Sequence, residues 1–491
     1  MGSRWRLAIG GTLVALIGFV WAMVLLHLDS TPTVEAAADN LRQLWPLWIT
    51  SGAVWMGLTV MWMILRRQLR DAAADQGRFW QCALLVLLVA LGARAAILTL
   101  HETSLSDDVY RYVFDGRNLA AGYNPYLVLP ADRLHASAER WIGERQLVPR
   151  LAFPELATPY LPVSEAVFGA IGLTIGTRWS TPSSSARAFR VGFVVIELAM
   201  MLTMVVALKR AGRSAWWAAL YAWHPLPISE LAGSGHQEVI GVACLVGSLA
   251  IFTTVPGNTW RWTALLALSA LGKPITLPAG VIMLRGRPLR EWFACAIIGA
   301  VVIAACIAPL WLIWGDHGRA YQNWRATVDQ LGQGSAHFGG VYEAVRAAAR
   351  QVTPTDGRVL GLNLPPEWLA RIVCLAIFAA VAIGIFFRRS NAWQATCAML
   401  LAVVLLTPVA LPWYLLWAFA LFPMADGRAL WVLSLTLSWG YAAWADDVHR
   451  TVPPWLLAAA YAPVLIALVW DVVRVSSSGS DLRAMPAPPE S

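Results

Sequence analysis

"WRWTALLALSALGKPITLPAGVIML", residues 260–284, is apolar enough to cross a membrane but is interrupted by Gly272, Pro274 and Pro278. Proline removes a backbone donor and clashes with the preceding turn, so a helix through this stretch breaks near its middle. Whether the segment crosses or turns back sets the side of every later loop. If it crossed, Arg285, Arg287 and Arg290 would face away from the other arginine clusters. As a re-entrant pair of half-helices it returns to its starting side, and broken backbone at membrane depth is tolerated where protein surrounds it. The re-entrant form keeps the arginines together, and it is the expectation.

The remainder of the chain is of one kind. Of its 491 residues 58% are hydrophobic and 13% charged, where a soluble domain carries roughly a quarter charged. That composition describes an all-α polytopic membrane protein. Apolar runs lie near 7–28, 46–65, 79–99, 189–208, 214–231, 238–255, 291–314, 366–387, 392–410, 429–445 and 454–473, with a shorter one at 412–424. The first is too long for a signal peptide and lacks a small-residue cleavage site, so it is expected to stay as an uncleaved span.

Basic clusters fall in alternate loops: Arg4/Arg6, Arg66/Arg67/Arg70/Arg78, Lys209/Arg210/Arg213, Arg285/Arg287/Arg290, Arg388/Arg389, Arg428 and Arg474. Placing them all in the cytoplasm gives N-in, C-in topology with about twelve transmembrane helices plus the re-entrant segment. The net charge of +8 is thus a topological signal, since no nucleic-acid motif accompanies it. The chain reads as a single membrane domain, 1–475, in the inner (plasma) membrane, with outer loops 100–188 and 315–365 and a disordered cytoplasmic tail at 476–491. All six cysteines sit in apolar runs with no CxxC, as buried hydrophobes do.

Polar groups stand out against this background. In "SLSDDVYRYVFDGRNLAAGYNPY" (104–126), Ser106 or Asp107 can cap a helix that begins at Asp108 and stops at Gly122. Asp108, Arg111 or Tyr112, and Asp115 share one face of it. A solvated ion-pair network is the ordinary reading of such a run. Two adjacent carboxylates held at a membrane surface also suit a general base or a metal or hydroxyl ligand, because their repulsion raises one pKa. In "HPLPISELAGSGHQEV" (224–239), Glu230, His236, Gln237 and Glu238 flank a glycine turn whose N–H groups could meet an anion, although a plain polar turn accounts for them too. Lys273, in the broken segment, is an ionisable group at membrane depth and so a functional candidate, unless it snorkels to the cytoplasmic interface. Trp413 and Tyr414 could form part of an aromatic belt or stack on a sugar. P-loop, HExxH, GxSxG and Rossmann signatures are all missing, which argues against a soluble nucleotide substrate.

Taken in order, "YRYVFDGRNLAAGYNPY", "LAFPELATPYLPVSEAVFG", "GSGHQE", "GKPITLPAG" and "LPWYLLW" resemble the GT-C superfamily, and within it bacterial polyprenyl-phosphate-mannose-dependent mannosyltransferases. The resemblance spans about Asp107 to Trp417. It implies a GT-C-like fold with interfacial helices in both outer loops, one of them at 163–176. It also implies a catalytic base at Asp107 or Asp108, between which the doublet does not choose. The sugar, mannose by the resemblance, would move with inversion from a polyprenyl-phosphate donor to a lipid- or glycan-linked acceptor at the outer face. Arg111, Arg117, His236, Gln237, Lys273, Tyr160, Trp413 and Tyr414 would bind the donor's phosphate or sugar. Where the family usually has Tyr-Pro-Pro, this chain has Tyr160-Leu161-Pro162. No cofactor is identified with certainty; a divalent cation could sit beside Asp107 and Asp108, although the sequence identifies no third ligand for it.

Two other classes share some of these features. A secondary transporter or lipid flippase also uses broken helices and buried lysines, but it usually shows repeated halves. A scaffold protein would treat the acids as a solvated cap.

Overall fold

The computed structural model describes residues 3–28, 45–68, 77–99, 105–176, 181–255, 257–314, 316–332, 336–353, 358–359, 362–388, 390–445 and 452–477. The tail from 478 onward lies outside them. The described chain is helical apart from a two-residue β-hairpin pairing Arg358–Val359 with Leu362–Asn363 and isolated bridges at Val409. In order, the principal helices are α1 (Ser3–Leu28), α2 (Trp45–Gln68), α3 (Phe79–Leu98), α4 (Asp108–Ala120), α5 (Pro162–Ile175), α6 (Pro182–Arg210), α7 (Trp216–Ala222), α8 (Glu238–Thr254), α9 (Thr259–Ala270) and α10 (Leu277–Met283). They continue with α11 (Leu289–Ala308), α12 (His317–Gly332), α13 (Gly340–Val352), α14 (Pro366–Phe387), α15 (Ala392–Leu406), α16 (Arg428–Thr436) and α17 (Pro454–Ser477).

Among the described residues seven helices are long and apolar enough to cross a membrane, and four shorter apolar helices accompany them, where about twelve spans were expected. The difference has a local cause. The run at 214–231 does not form one span, because Pro225 and Pro227 cannot donate to the helix ladder. Helix α7 therefore ends at Ala222 and gives way to a π-helical turn, Ile228–Gly233. Side chains satisfy the freed backbone: the Leu226 N–H donates to His224 Nδ1 at 3.1 Å, and Arg190 Nε donates to the Ala232 carbonyl at 2.8 Å. The run at 412–424 is likewise three short helical pieces, and that at 429–445 passes from α16 into a 3₁₀ stretch.

Trp217, Trp223, Trp417 and Trp431 fill the centre of the bundle. Helix α11 buries only Cys295 and leaves Phe293, Ile297 and Val301 open on its outer face, as a lipid-facing helix of a membrane protein does.

The broken segment is a hairpin. Helix α9 runs antiparallel to α8, with Ser248 Oγ donating to the Trp262 carbonyl at 2.7 Å. At the far end Lys273 Nζ lies 2.8 Å from Glu238 Oε1, at the first residue of α8. The chain then returns through α10 to the end where it began. There the Arg287 guanidinium lies 5.5 Å over the Phe252 ring, near the last turn of α8, and Arg285 donates to the carbonyls of Phe386, Arg388 and Ser390. Lys273 is therefore not at the arginine-rich end. Arg66 pairs there with Asp426 at 2.7 Å, and Arg213 donates to the Met424 carbonyl.

At the opposite end the two expected outer loops meet. Asn124 Nδ2 donates to the carbonyls of Leu310 and Trp314, while Trp324 Nε1 and Thr327 Oγ1 of α12 donate to those of Pro159 and Ala157. Helix α5 supplies the helix expected at 163–176. It crosses α4 at backbone contact, where a Cβ on Gly116 would lie 2.3 Å from the Phe168 carbonyl oxygen, and one on Gly172 would lie 2.4 Å from that of Gly116. Cysteines introduced at Asn258 and Arg290 should label together from one side of the membrane, and one at Ser137 from the other. Opposite labelling of the first two would mean that 259–284 crosses.

Candidate active site

Helix α4 starts as its sequence requires. Ser106 Oγ accepts the Asp108 N–H at 3.2 Å, and Asp107, at the cap, is exposed. The two acids thereby separate. Asp107 faces solvent, whereas Asp108 turns toward the glycine turn between α7 and α8.

That turn is held from within. The Ser234 N–H donates to the Ser229 carbonyl and the His236 N–H to that of Glu230, so these two donors are engaged inside the turn rather than offered to an anion. Gly235 sits at φ +76°, where a side chain would be strained and its Cβ would lie 2.7 Å from Arg190 Cγ. The resulting geometry buries His236 with its ring stacked on Trp413, centroids 3.9 Å apart and planes 17° apart. His236 Nδ1 lies 3.6 Å from Asp108 Oδ2, and Nε2 lies 3.3 Å from Glu230 Oε2. Glu230 in turn accepts from Tyr441 at 2.8 Å and from Ser229 at 3.3 Å.

The hairpin tip closes the other side. Besides its bond to Glu238, Lys273 Nζ sits 3.5 Å over the Tyr414 ring. This approach depends on two glycines in contact: a Cβ on Gly272 would come within 2.9 Å of Gly241 Cα, and one on Gly241 within 2.3 Å of the Trp417 ring. Tyr160 meets Tyr112 edge to face at 5.1 Å. Burial, followed by the charges of Asp108 and Glu238, holds the Tyr160 phenol protonated well above its usual range.

Loss of water around Asp108 is the main influence on its carboxyl, whose pKa is raised to about 6; His236 opposes the rise, and Asp107 and Glu238 add to it. About a third of its side chain surface (34%) remains open, so a substrate hydroxyl can reach it.

The structure thus gathers Asp108, His236, Lys273, Tyr160, Trp413 and Tyr414, all singled out in the sequence. The other candidates stand differently. Arg117 lies apart, over the Trp141 ring at 4.3 Å and bonded to the Gly176 carbonyl, further along α4 than the face that meets His236. Arg111 is held by Asp115 and donates to the Leu156 carbonyl, a buried pair rather than a solvated network. Gln237 Oε1 accepts from Ser164 of α5 and so joins the turn to the outer loop. His236 has a carboxylate beside each ring nitrogen, an unfavourable seat for a phosphate. Among the described residues no three His, Cys, Asp or Glu side chains are grouped to hold a metal ion. Tyr441 escaped sequence reasoning, since "SWGYAAW" reads as an aromatic belt with no local signal of a carboxylate partner.

With this geometry in hand, comparison with known proteins is specific. A family described as "Alpha-(1->6)-mannopyranosyltransferase, N-terminal domain" matches residues 4–285, more than half of the chain. The protein named alpha-(1->6)-mannopyranosyltransferase A of Mycobacterium tuberculosis is 25% identical over 435 residues, covering 83% of this chain and 78% of that protein. No solved structure matches.

Replacing Gly272 by Val should push the hairpin tip from α8 and cost about 1–3 kcal/mol, the usual range for overpacking a close contact. The measurement is thermal unfolding in detergent; an unchanged midpoint would contradict the contact.

Proposed function

The chain belongs to the alpha-(1->6)-mannopyranosyltransferase family, and from that premise we propose how this membrane mannosyltransferase works. Mannose moves from a polyprenyl-phosphate donor to a lipid- or glycan-linked acceptor at the outer face of the membrane, with Asp108 as general base. The observation that carries this reading is Asp108 itself: a carboxyl with a pKa of about 6, partly open, within the electrostatic reach of the half-buried Lys273 ammonium.

The chemistry follows from the groups present. The acceptor oxygen attacks the anomeric carbon, and its proton passes to Asp108 as the new C–O bond forms. The bond to the phosphate breaks on the opposite face, its electrons leave with the lipid phosphate, and the anomeric centre inverts. A β-linked donor would then yield an α-linked product, and the family name supports a (1→6) linkage. A base near neutral pKa both accepts a hydroxyl proton and is ionised at working pH. Lys273 would meet the leaving phosphate by exchanging Glu238 for it, and Glu238 is then free to accept a sugar hydroxyl. Trp413 and Tyr414 offer ring faces to the pyranose. The arginine-rich end is the opposite one, which by the positive-inside rule supports a site on the outer side, where lipid-linked sugars rather than nucleotide sugars are the available donors.

Asp108→Asn should lower turnover by about 10²–10⁴-fold with donor binding retained, whereas Asp107→Asn should cost far less. Transfer of mannose by purified enzyme in detergent tests both, and full activity in Asp108→Asn would remove the base. In the wild type, kcat/KM should rise with pH through a midpoint near 6, the pKa to which Asp108 is raised, because only its ionised form accepts the proton. A flat profile between pH 5 and 7, on the order of one unit either side of that midpoint, would oppose the assignment.

A further inference from the structure

His236 is buried between carboxylates from two different elements, Asp108 of α4 and Glu230 of the π-helical turn. A neutral imidazole carries one N–H and can serve one of them; an imidazolium carries two and can serve both. Glu230 is itself 1% exposed, and Tyr441 and Ser229 are neutral donors that leave its charge uncompensated. A buried carboxylate in that position needs a cation, and His236 is the group beside it.

We propose that His236 is a positioning residue, standing as an imidazolium between Asp108 and Glu230, and that Glu230 with Tyr441 keeps it protonated so that Asp108 stays ionised and aimed at the acceptor. The proposal rests on Asp108 being the base. Trp413 fixes the plane of the ring by stacking; in that plane the two nitrogens lie 3.6 Å from Asp108 and 3.3 Å from Glu230, ion-pair distances with neither contact aligned as a hydrogen bond. The charged groups acting on the ring are Asp108 from α4, Glu230 from the turn and Glu238 from the start of α8, while Lys273 from the hairpin tip acts on Asp108. Burial alone would strip the ring's proton; Glu230, then Asp108 and Glu238, outweigh that and raise its pKa. The charges also balance through the reaction. Before proton transfer one imidazolium faces two carboxylates. Afterwards Asp108 is neutral, and His236 and Glu230 remain a matched pair, so no uncompensated charge is created in a buried place.

The test is the pH dependence of kcat/KM for mannose transfer by the full-length enzyme in detergent, with Glu230→Gln, His236→Gln and Tyr441→Phe. Without the imidazolium Asp108 protonates more readily, so the acid limb should move to higher pH by at least about one unit in the first two variants. It should move less, in the same direction, in Tyr441→Phe, the mildest change and the one to read if the others fail to fold. Rates above the shifted midpoint should return toward wild type. A uniform loss of activity with the midpoint unmoved would signify a merely structural role and overturn the proposal. If Asp108→Asn is inactive while Glu230→Gln keeps the wild-type midpoint, this proposal falls and the base stands. Activity retained in Asp108→Asn would remove both.

Discussion

The ion pair between Lys273 and Glu238 is the contact on which the rest of the site depends. A lysine at membrane depth must find a carboxylate or reach water, and here it finds the first residue of α8. That choice requires the segment at 259–284 to rise beside α8 and turn back, which in turn leaves Arg285 and Arg287 at the end where Arg66 and Arg213 gather. It also places a cation near Asp108, a partly open carboxyl whose environment favours taking up a proton near neutrality. A single bond at the hairpin tip therefore links the course of the chain to the candidate site at the end away from the arginines.

Much of this was legible in the sequence, for identifiable reasons. The break at Gly272, Pro274 and Pro278 could be read because proline acts locally. The start of α4 at Asp108 and its stop at Gly122 could be read because caps act over three or four residues. The lengths of individual helices were not legible, since apolar composition does not distinguish one long helix from the broken pieces at 216–233 and 412–425. Pairing across the fold was also hidden. Nothing local to Tyr441 announces Glu230, 211 residues away, and the doublet Asp107-Asp108 gave no sign of which acid turns inward. Arg117 shares a helix with Asp108 but is drawn off by Trp141, a partner that periodicity alone does not supply.

The candidate site is a small set of ionisable groups, one lysine and one histidine among three carboxylates. Lys273 faces Glu238, and His236 faces Asp108 and Glu230. Aromatic rings insulate both groups, with Trp413 against the imidazole and Tyr414 under the ammonium. Low polarizability around such charges strengthens their mutual influence and makes each protonation state depend on its neighbours. The arrangement also explains why the residues singled out for phosphate binding divide in two. Lys273 has one carboxylate partner, Glu238, whereas His236 has a carboxylate near each ring nitrogen.

The junction between the two outer loops has an evolutionary corollary. Its donors, Asn124, Asn323, Trp324 and Thr327, all address backbone carbonyls, at Leu310, Trp314, Tyr126, Pro159 and Ala157. A donor that reads a carbonyl is indifferent to the side chain on the residue that bears it. The junction can therefore drift in composition at those five positions while its hydrogen bonds are kept, because the bonds read the backbone and not the side chains.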